Sequence, residues 1–184
     1  TAPQAATRGG HAAASAPRTR ALVKVQDGCS NHCSYCRIPH ARGTPSSRPM
    51  HDILSELREL SSLGVAEAVV TGVNLNAWED GAQGLCELLG SMLELSGELS
   101  IRLSSLEPRS FDPGILAHFS HPKLAPQLHF PVQGGTDELL SRMKRGYTTA
   151  EYLGLLGALR SARAELSVTT DVIAGFPGET AAEF

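Results

Sequence analysis

Residues 21–36, ALVKVQDGCSNHCSYC, decide the fold. The first six form a short β-type run that leads straight into a loop carrying Cys29, Cys33 and Cys36 at Cys-x₃-Cys-x₂-Cys spacing. Three thiolates on one loop can converge on one metal centre. An iron–sulfur cube kept for electron transfer usually has four cysteine ligands. A cube with three protein ligands leaves one iron open, and an open coordination site is where a metal does chemistry on a bound ligand. The competing reading is a structural zinc module, with His32 or His40 as the fourth ligand. A strand entering the loop and a helical pattern leaving it fit a site at a barrel mouth better than a small zinc module. A disulfide framework fits poorly, because three of the four cysteines are clustered and Cys86 stands alone far downstream. A reducing, cytoplasmic setting follows from the same distribution.

Outward from the loop, composition sets broad bounds. The 184 residues suffice for one core, and 41% hydrophobic content is ordinary for a globular domain. A net charge of −3 gives no bulk electrostatic case for nucleic acid, and 5% aromatic content offers no stacking platform for bases. No apolar run is long enough to cross a bilayer, so no membrane partner is expected. The N-terminus lacks the apolar stretch of a signal peptide.

Residues 1–20 are rich in Ala, Pro, Gly and Arg and read as a flexible linker from a preceding N-terminal domain. From residue 21 onward, strand and helix patterns alternate. Met50, Ile53, Leu54, Leu57, Leu60 and Leu63 recur at helical spacing, with Pro49 suited to the first turn and Gly64 to a C-terminal cap. A strand is predicted at 66–73, a helical face at 85–93 and a strand at 99–104. A short helix near 112–119 precedes a strand at 127–132. Helices at 137–144 and 149–163 precede a last strand at 166–174, and a sixth helix barely begins at 180–184. Strands separated by helices imply right-handed βαβ units and a parallel sheet. The fold class is therefore α/β over residues 21–184, truncated after its fifth strand: five parallel strands that make either an open sheet or a partial (βα) barrel. Its site belongs at the C-terminal strand ends.

The ordered blocks KVQDGCSNHCSYCRIPHARG, TGVN, IRLSSLEP, HFPVQGGTDELLSRMKRGYT and TTDVIAGFPGET resemble the radical S-adenosylmethionine methylthiotransferases from Leu22 to the C-terminal end. The resemblance implies a barrel of that family's type and a [4Fe-4S] cluster on Cys29, Cys33 and Cys36. S-adenosylmethionine would be chelated at the fourth iron and cleaved reductively. Family members attach a methylthio group to threonylcarbamoyl-adenosine or isopentenyl-adenosine beside the tRNA anticodon, or to an aspartate of a ribosomal protein. Val70-Thr71-Gly72-Val73-Asn74 and the run from Arg102 to Pro108 are most similar to the threonylcarbamoyl branch, with C2 of the adenine as target. The implied partners are tRNA, through its anticodon loop, and an electron donor such as a flavodoxin or ferredoxin. Full-length members carry an N-terminal domain with a second [4Fe-4S] cluster and a C-terminal RNA-binding β domain, so this chain corresponds to the middle module.

The resemblance also implies site residues, each with a plainer reading beside it. Tyr35 would lie by the cofactor's adenine, or simply pack the loop on the barrel rim. Gly72 and Asn74 would meet the methionine amino group, although a strand-end glycine also makes a turn. Ser105, Glu107 and Gln133 would project into the mouth; Glu107 could instead be a solvated loop charge. Arg142 would reach the cofactor carboxylate, or be a surface helix arginine. Asp171 and Gly175 would flank the adenosyl group, Gly175 permitting close approach. Arg37, His40, Arg42 and Arg48 could meet RNA phosphate, or be ordinary solvated charge. Cys86 is expected to be a packed thiol. Gln133-Gly134-Gly135 departs from the family's usual Gln-Ser-Gly.

Overall fold

The computed structural model describes residues 19–95 and 97–184. The expected linker therefore lies outside the described residues except for its last two. Of those, Thr19 accepts hydrogen bonds from the amides of Ala66 and Glu67, and Arg20 already belongs to the first strand.

The sheet is built from β1 (Arg20–Asp27), β3 (Glu67–Gly72) and β6 (Ser100–Leu103), parallel and adjacent in that order. β2 (Ser46–Ser47) pairs antiparallel with the end of β1. β7 (Gln127–His129) and β8 (Ser167–Thr169) form a second parallel pair. Parallel bridges Ile101↔Leu124 and Ser105↔His129 join β6 to the β7 segment, and Gln133↔Val172 extends the β7–β8 pairing. Spatial order thus follows chain order through five parallel segments, as successive right-handed βα units require. The expected α/β partial barrel is what forms.

Helices α2 (Met50–Ser62), α3 (Leu85–Leu93) and α5 (Thr149–Ala162) cover the sheet. α2 buries Ile53 and Leu57, and α3 buries Leu85, Leu88, Leu89, Met92 and Leu93. They pack on Val23, Val25, Ala68, Val70, Ile101 and Leu103 of the strands in one continuous core. Asp80 accepts from the first amide of α2, and the Thr148–Glu151 capping box opens α5. Gly64 follows α2 at φ +75°, the left-handed cap position.

Several local expectations need correction. Two short elements follow the cysteines, α1 (Ile38–Arg42) and β2, and a small hairpin of β4 (Glu79–Asp80) and β5 (Gln83–Gly84) precedes α3. Such short segments show no periodicity to read. The Pro113–Ser120 helix is 3₁₀. β7 and β8 are shorter than predicted, because Pro131 lacks an N–H and Gln133 turns left-handed at φ 73°. The next short helix is α4 (Asp137–Arg142), two residues shorter than its pattern. Residues 181–183 form a turn and not the start of a sixth helix. Among the described residues, no helix is long and apolar enough to cross a membrane.

Candidate metal centre at the strand ends

The cysteine loop begins at a forced glycine. Gly28 has φ +77°, and a Cβ there would sit 2.1 Å from the Thr44 carbonyl oxygen. The next amide, of Cys29, donates to the Gly43 carbonyl at 3.1 Å, so the loop closes on the chain just beyond α1. Its far side is tied to the end of α4: the Ser34 amide donates to the Met143 carbonyl at 3.0 Å and Ser34 Oγ to the Arg142 carbonyl at 2.9 Å. Backbone amides point at two sulfurs, Asn31 N–H at Cys29 Sγ (3.4 Å) and Ile38 N–H at Cys36 Sγ (3.5 Å). Such donors favour thiolates.

Cys29, Cys33 and Cys36 line a single pocket of about 170 Å³ together with Tyr35, Asn74, Ser105, Glu107 and Gln133. Strands β1, β3, β6 and β7 all end at this pocket, so it occupies the position where α/β folds bind ligands. Among the described residues, no three His, Cys, Asp or Glu side chains are gathered tightly enough to hold a single metal ion. A zinc ion would draw its ligands to about 2.0–2.3 Å from one point. A cube takes one thiolate on each iron, so three cysteines of one pocket can serve it without meeting at a single point. Burial pushes the Cys29 thiol up, against the pull of the Asn31 amide, and nearby Cys33 and Cys36 push the same way. Concentrating three thiolates here is costly without a cation, and a cluster would supply that charge.

Four predicted residues fall outside the pocket. Gly72 stands at the end of β3, where a Cβ would come within 3.0 Å of Gln26 Cβ and Leu75 Cδ2. Arg142 points away: its Nη2 pairs with Glu183 Oε1 at 2.8 Å. Asp171 accepts from His129 Nε2 at 3.3 Å and is largely exposed. Gly175 has φ +73°, faces open space and donates its N–H to Glu179. Its glycine is explained by backbone conformation, with no close approach in evidence. Of the basic set, Arg48 is engaged by Glu56 and the Lys24 carbonyl, and Arg42 lies 3.7 Å from Asp27. The departure at Gly134 is accommodated by packing, since a Cβ there would reach Leu139 Cγ at 3.0 Å.

Two residues unforeseen from sequence organise the site. Gln26 is buried at the end of β1; its Nε2 donates to the carbonyls of Asp27 (2.7 Å) and Gly28 (2.8 Å), and its Oε1 accepts from the Asn74 amide (2.8 Å). Arg145 is 3% exposed and lines the same pocket. Its Nη1 donates to Tyr35 Oη (3.0 Å) and Cys33 Sγ (3.5 Å), its Nη2 to Glu107 Oε1 (2.6 Å) and the Pro131 carbonyl (3.1 Å), and its Nε to Tyr147 Oη (3.0 Å). Burial opposes the Arg145 charge, yet Glu107 and the two phenols hold its pKa above the ordinary guanidinium value. Burial likewise raises the Glu107 carboxyl, against the pull of Arg145, and pushes the Tyr147 phenol up to about 12. Burial also lifts the Tyr35 phenol, which stays neutral. A signal for Arg145 lay in the sequence: Gly146 after it marks a reversal, and both Lys144 (φ 58°) and Gly146 (φ 70°) are left-handed. Asn74 Oδ1 is buried in this region without a hydrogen-bond partner among the described residues. Three thiols, an orphan acceptor and a buried cation fit an iron–sulfur cluster with an amino-acid cofactor.

The family model for the radical SAM superfamily matches residues 23–184. A tRNA-2-methylthio-N(6)-dimethylallyladenosine synthase from Nitrosospira multiformis is 43% identical over 173 residues, 89% of this chain and 36% of that protein. Proteins of the same name from Burkholderia thailandensis and Saccharophagus degradans are 41% and 40% identical, each over 89% of this chain, which spans 38% and 37% of them. The chain thus spans little more than a third of these relatives. They carry the dimethylallyl name, the isopentenyl branch weighed as the alternative above, and this corrects the expected threonylcarbamoyl branch. Among solved structures, the radical S-adenosylmethionine methyltransferase TsrM from Kitasatospora setae superimposes with a TM-score of 0.67 at 21% identity, over 89% of this chain and 32% of that one. The cobalamin-dependent enzyme OxsB does so with 0.67 at 12%, over 83% and 23%. These last two speak to fold alone, and the fold agrees with the sequence match over nearly every described residue: the chain belongs to the radical SAM superfamily.

Proposed function

We propose that this chain is the radical core of a tRNA methylthiotransferase that modifies N6-isopentenyl-adenosine beside the anticodon, at C2 of the base. The observation that carries the reading is 40–43% identity, over 89% of the chain, to proteins named for that product. The pocket chemistry supports it. Cys29, Cys33 and Cys36 would hold a [4Fe-4S] cluster, with S-adenosylmethionine on the open iron. When bound, the cluster supplies the electron that cleaves the cofactor's sulfonium bond.

The chain's own residues do the rest of the work at this face. Asn74 Oδ1, buried and without a donor among the described residues, would accept an N–H of the cofactor's amino group. Gln26 fixes that loop by holding the Asn74 amide and the Gly28 carbonyl in one side-chain grip. Tyr35 presents its ring at the pocket with its hydroxyl anchored on Arg145, so the ring can cover a bound base without swinging. Ser105 and Gln133 line the same wall and complete a polar rim over an apolar floor that includes Leu106. That enclosure keeps water from a reactive carbon centre. Arg142, paired with Glu183, is not the carboxylate anchor in this reading.

Sulfur insertion belongs to a second cluster in the full-length protein, and tRNA, a ferredoxin or flavodoxin donor and the cytoplasm are the matching partners and setting. The test is nucleoside analysis of tRNA from cells carrying or lacking the complete gene. Gain of methylthio-isopentenyl-adenosine supports the reading. Gain of methylthio-threonylcarbamoyl-adenosine, or no gene-dependent methylthio nucleoside, overturns it.

A further inference from the structure

We infer that Arg145 is a positioning residue that clamps the cysteine loop to the strand ends and sets a fixed positive charge against the Cys33 sulfur, raising the reduction potential of a cluster held there. The inference rests on the cluster reading above and goes beyond it.

A guanidinium has five N–H donors and no acceptor. In Arg145 all five find partners: Tyr35 Oη, Cys33 Sγ, Glu107 Oε1, the Pro131 carbonyl and Tyr147 Oη. The side chain therefore has no donor left for a ligand carboxylate, and it is too buried to be a surface charge. Beyond Tyr147, two residues on, its partners come from three places in the chain: the cysteine loop, the segment after β6 and the segment after β7. One rigid fork thus fixes the loop against two strand ends.

The charge is arranged asymmetrically. Nη2 faces Glu107 and Nη1 faces Cys33, so the sulfur takes its contact from a nitrogen that the carboxylate does not share. Breaking a buried ion pair is expensive, which keeps this orientation in place. A cationic donor beside a cluster sulfur favours the more negative, reduced state; net charge and hydrogen bonds to sulfur are the levers that set such potentials. The strained reversal at Lys144 and Gly146 aims this one arginine inward while Arg142, one helical turn earlier, points out to Glu183.

The experiment is a redox titration of the anaerobically reconstituted protein, following the reduced cluster by electron paramagnetic resonance, with iron content and a thermal melt of each sample. Arg145→Gln should move the midpoint to a more negative value. Arg145→Lys keeps the charge but cannot bond the sulfur and Glu107 together, so its midpoint should fall between the other two. If Arg145→Gln does not hold iron, the lysine variant decides alone: a negative shift supports the inference. An iron-loaded variant with an unshifted or more positive midpoint overturns it, even if its melting temperature drops. Wild-type protein that takes up no iron overturns the cluster reading and this inference with it.

Discussion

Gln26 occupies the space that a side chain on Gly72 would need. The two are paired across β1 and β3 beside a register irregularity, and a Cβ on Gly72 would meet Gln26 Cβ at 3.0 Å and Gln26 Oε1 at 3.1 Å. The glycine therefore serves the glutamine, and the glutamine joins the cysteine loop to the Asn74 loop.

Gln26→Leu keeps the volume but strands the Gly28 carbonyl and the Asn74 N–H. Each unpaired buried group costs about 1–3 kcal/mol. A loss of about 2 kcal/mol lowers the melting temperature by roughly 4–8 °C in a domain of this size. Gly72→Ala should cost less, because Gln26 and Leu75 can each yield a few tenths of an ångström. Thermal melts of both variants check the order; an unchanged melt for Gln26→Leu would mean that the grip carries no weight.

Gly28 and Gly64 share a left-handed backbone, φ +77° and +75°, but only Gly28 faces an obstacle. Alanine at 64 meets open space and costs about 1–2 kcal/mol of conformational strain. Alanine at 28 collides with the Thr44 carbonyl at 2.1 Å, which only a backbone shift can relieve. We expect Gly28→Ala to lose cluster loading and Gly64→Ala to keep it, as measured by iron content after anaerobic reconstitution.

The fourth cysteine supplies a control for the metal site. Cys86 lies on α3 with its sulfur 3.5 Å from His118 Nε2, and burial raises its thiol. It does not line the pocket shared by the other three. Cys86→Ser should retain the visible absorption and iron of the parent protein, whereas Cys33→Ser should lose most of both. Equal loss in the two variants would place Cys86 in the metal site.

Much of this architecture was legible because its signals are local. The strand at ALVKVQ, the α2 stripe from Met50 and the α3 face around Leu88 are periodic segments: α3 buries its predicted face and α2 buries Ile53 and Leu57, while Leu63 at the end of the stripe and Leu22 on the strand are exposed. The three cysteines stand out by their spacing and Asn74 and Gln133 come from the family resemblance, and all five line one pocket. Arg145 and Gln26 were not, because their roles depend on contacts over 110 and 48 residues of chain. Arg142 and Arg145 stand three apart in one block, and nothing in composition says which turns inward. The left-handed pair at Lys144 and Gly146 decides it, and only the glycine hinted at that.

Glu67 makes the acid limb of stability predictable. Its carboxylate bridges Arg102 of β6 at 2.8 Å and Arg20 of β1 at 2.6 Å, tying together three adjacent strands. The hydrogen bond from Arg102 holds the carboxyl below the usual glutamate range, against desolvation, with Arg20 adding to the effect. A depressed folded-state pKa means that the unfolded chain binds more protons through that interval. The stabilisation is therefore complete above the unfolded pKa of about 4.3 and is lost as pH falls through the lower folded value. Arg20 is largely exposed, so most of the effect comes from the less exposed Arg102 pair. Glu67→Gln should destabilise the protein by about 1 kcal/mol at neutral pH and flatten the decline in stability between about pH 5 and pH 3. Urea unfolding at several pH values measures both. A variant that loses stability at pH 7 yet keeps the parental acid slope would move that slope from Glu67 to the other lowered carboxyls, among them Asp27 with its hydrogen bond from Lys24 and Asp137 with its bonds from Thr149.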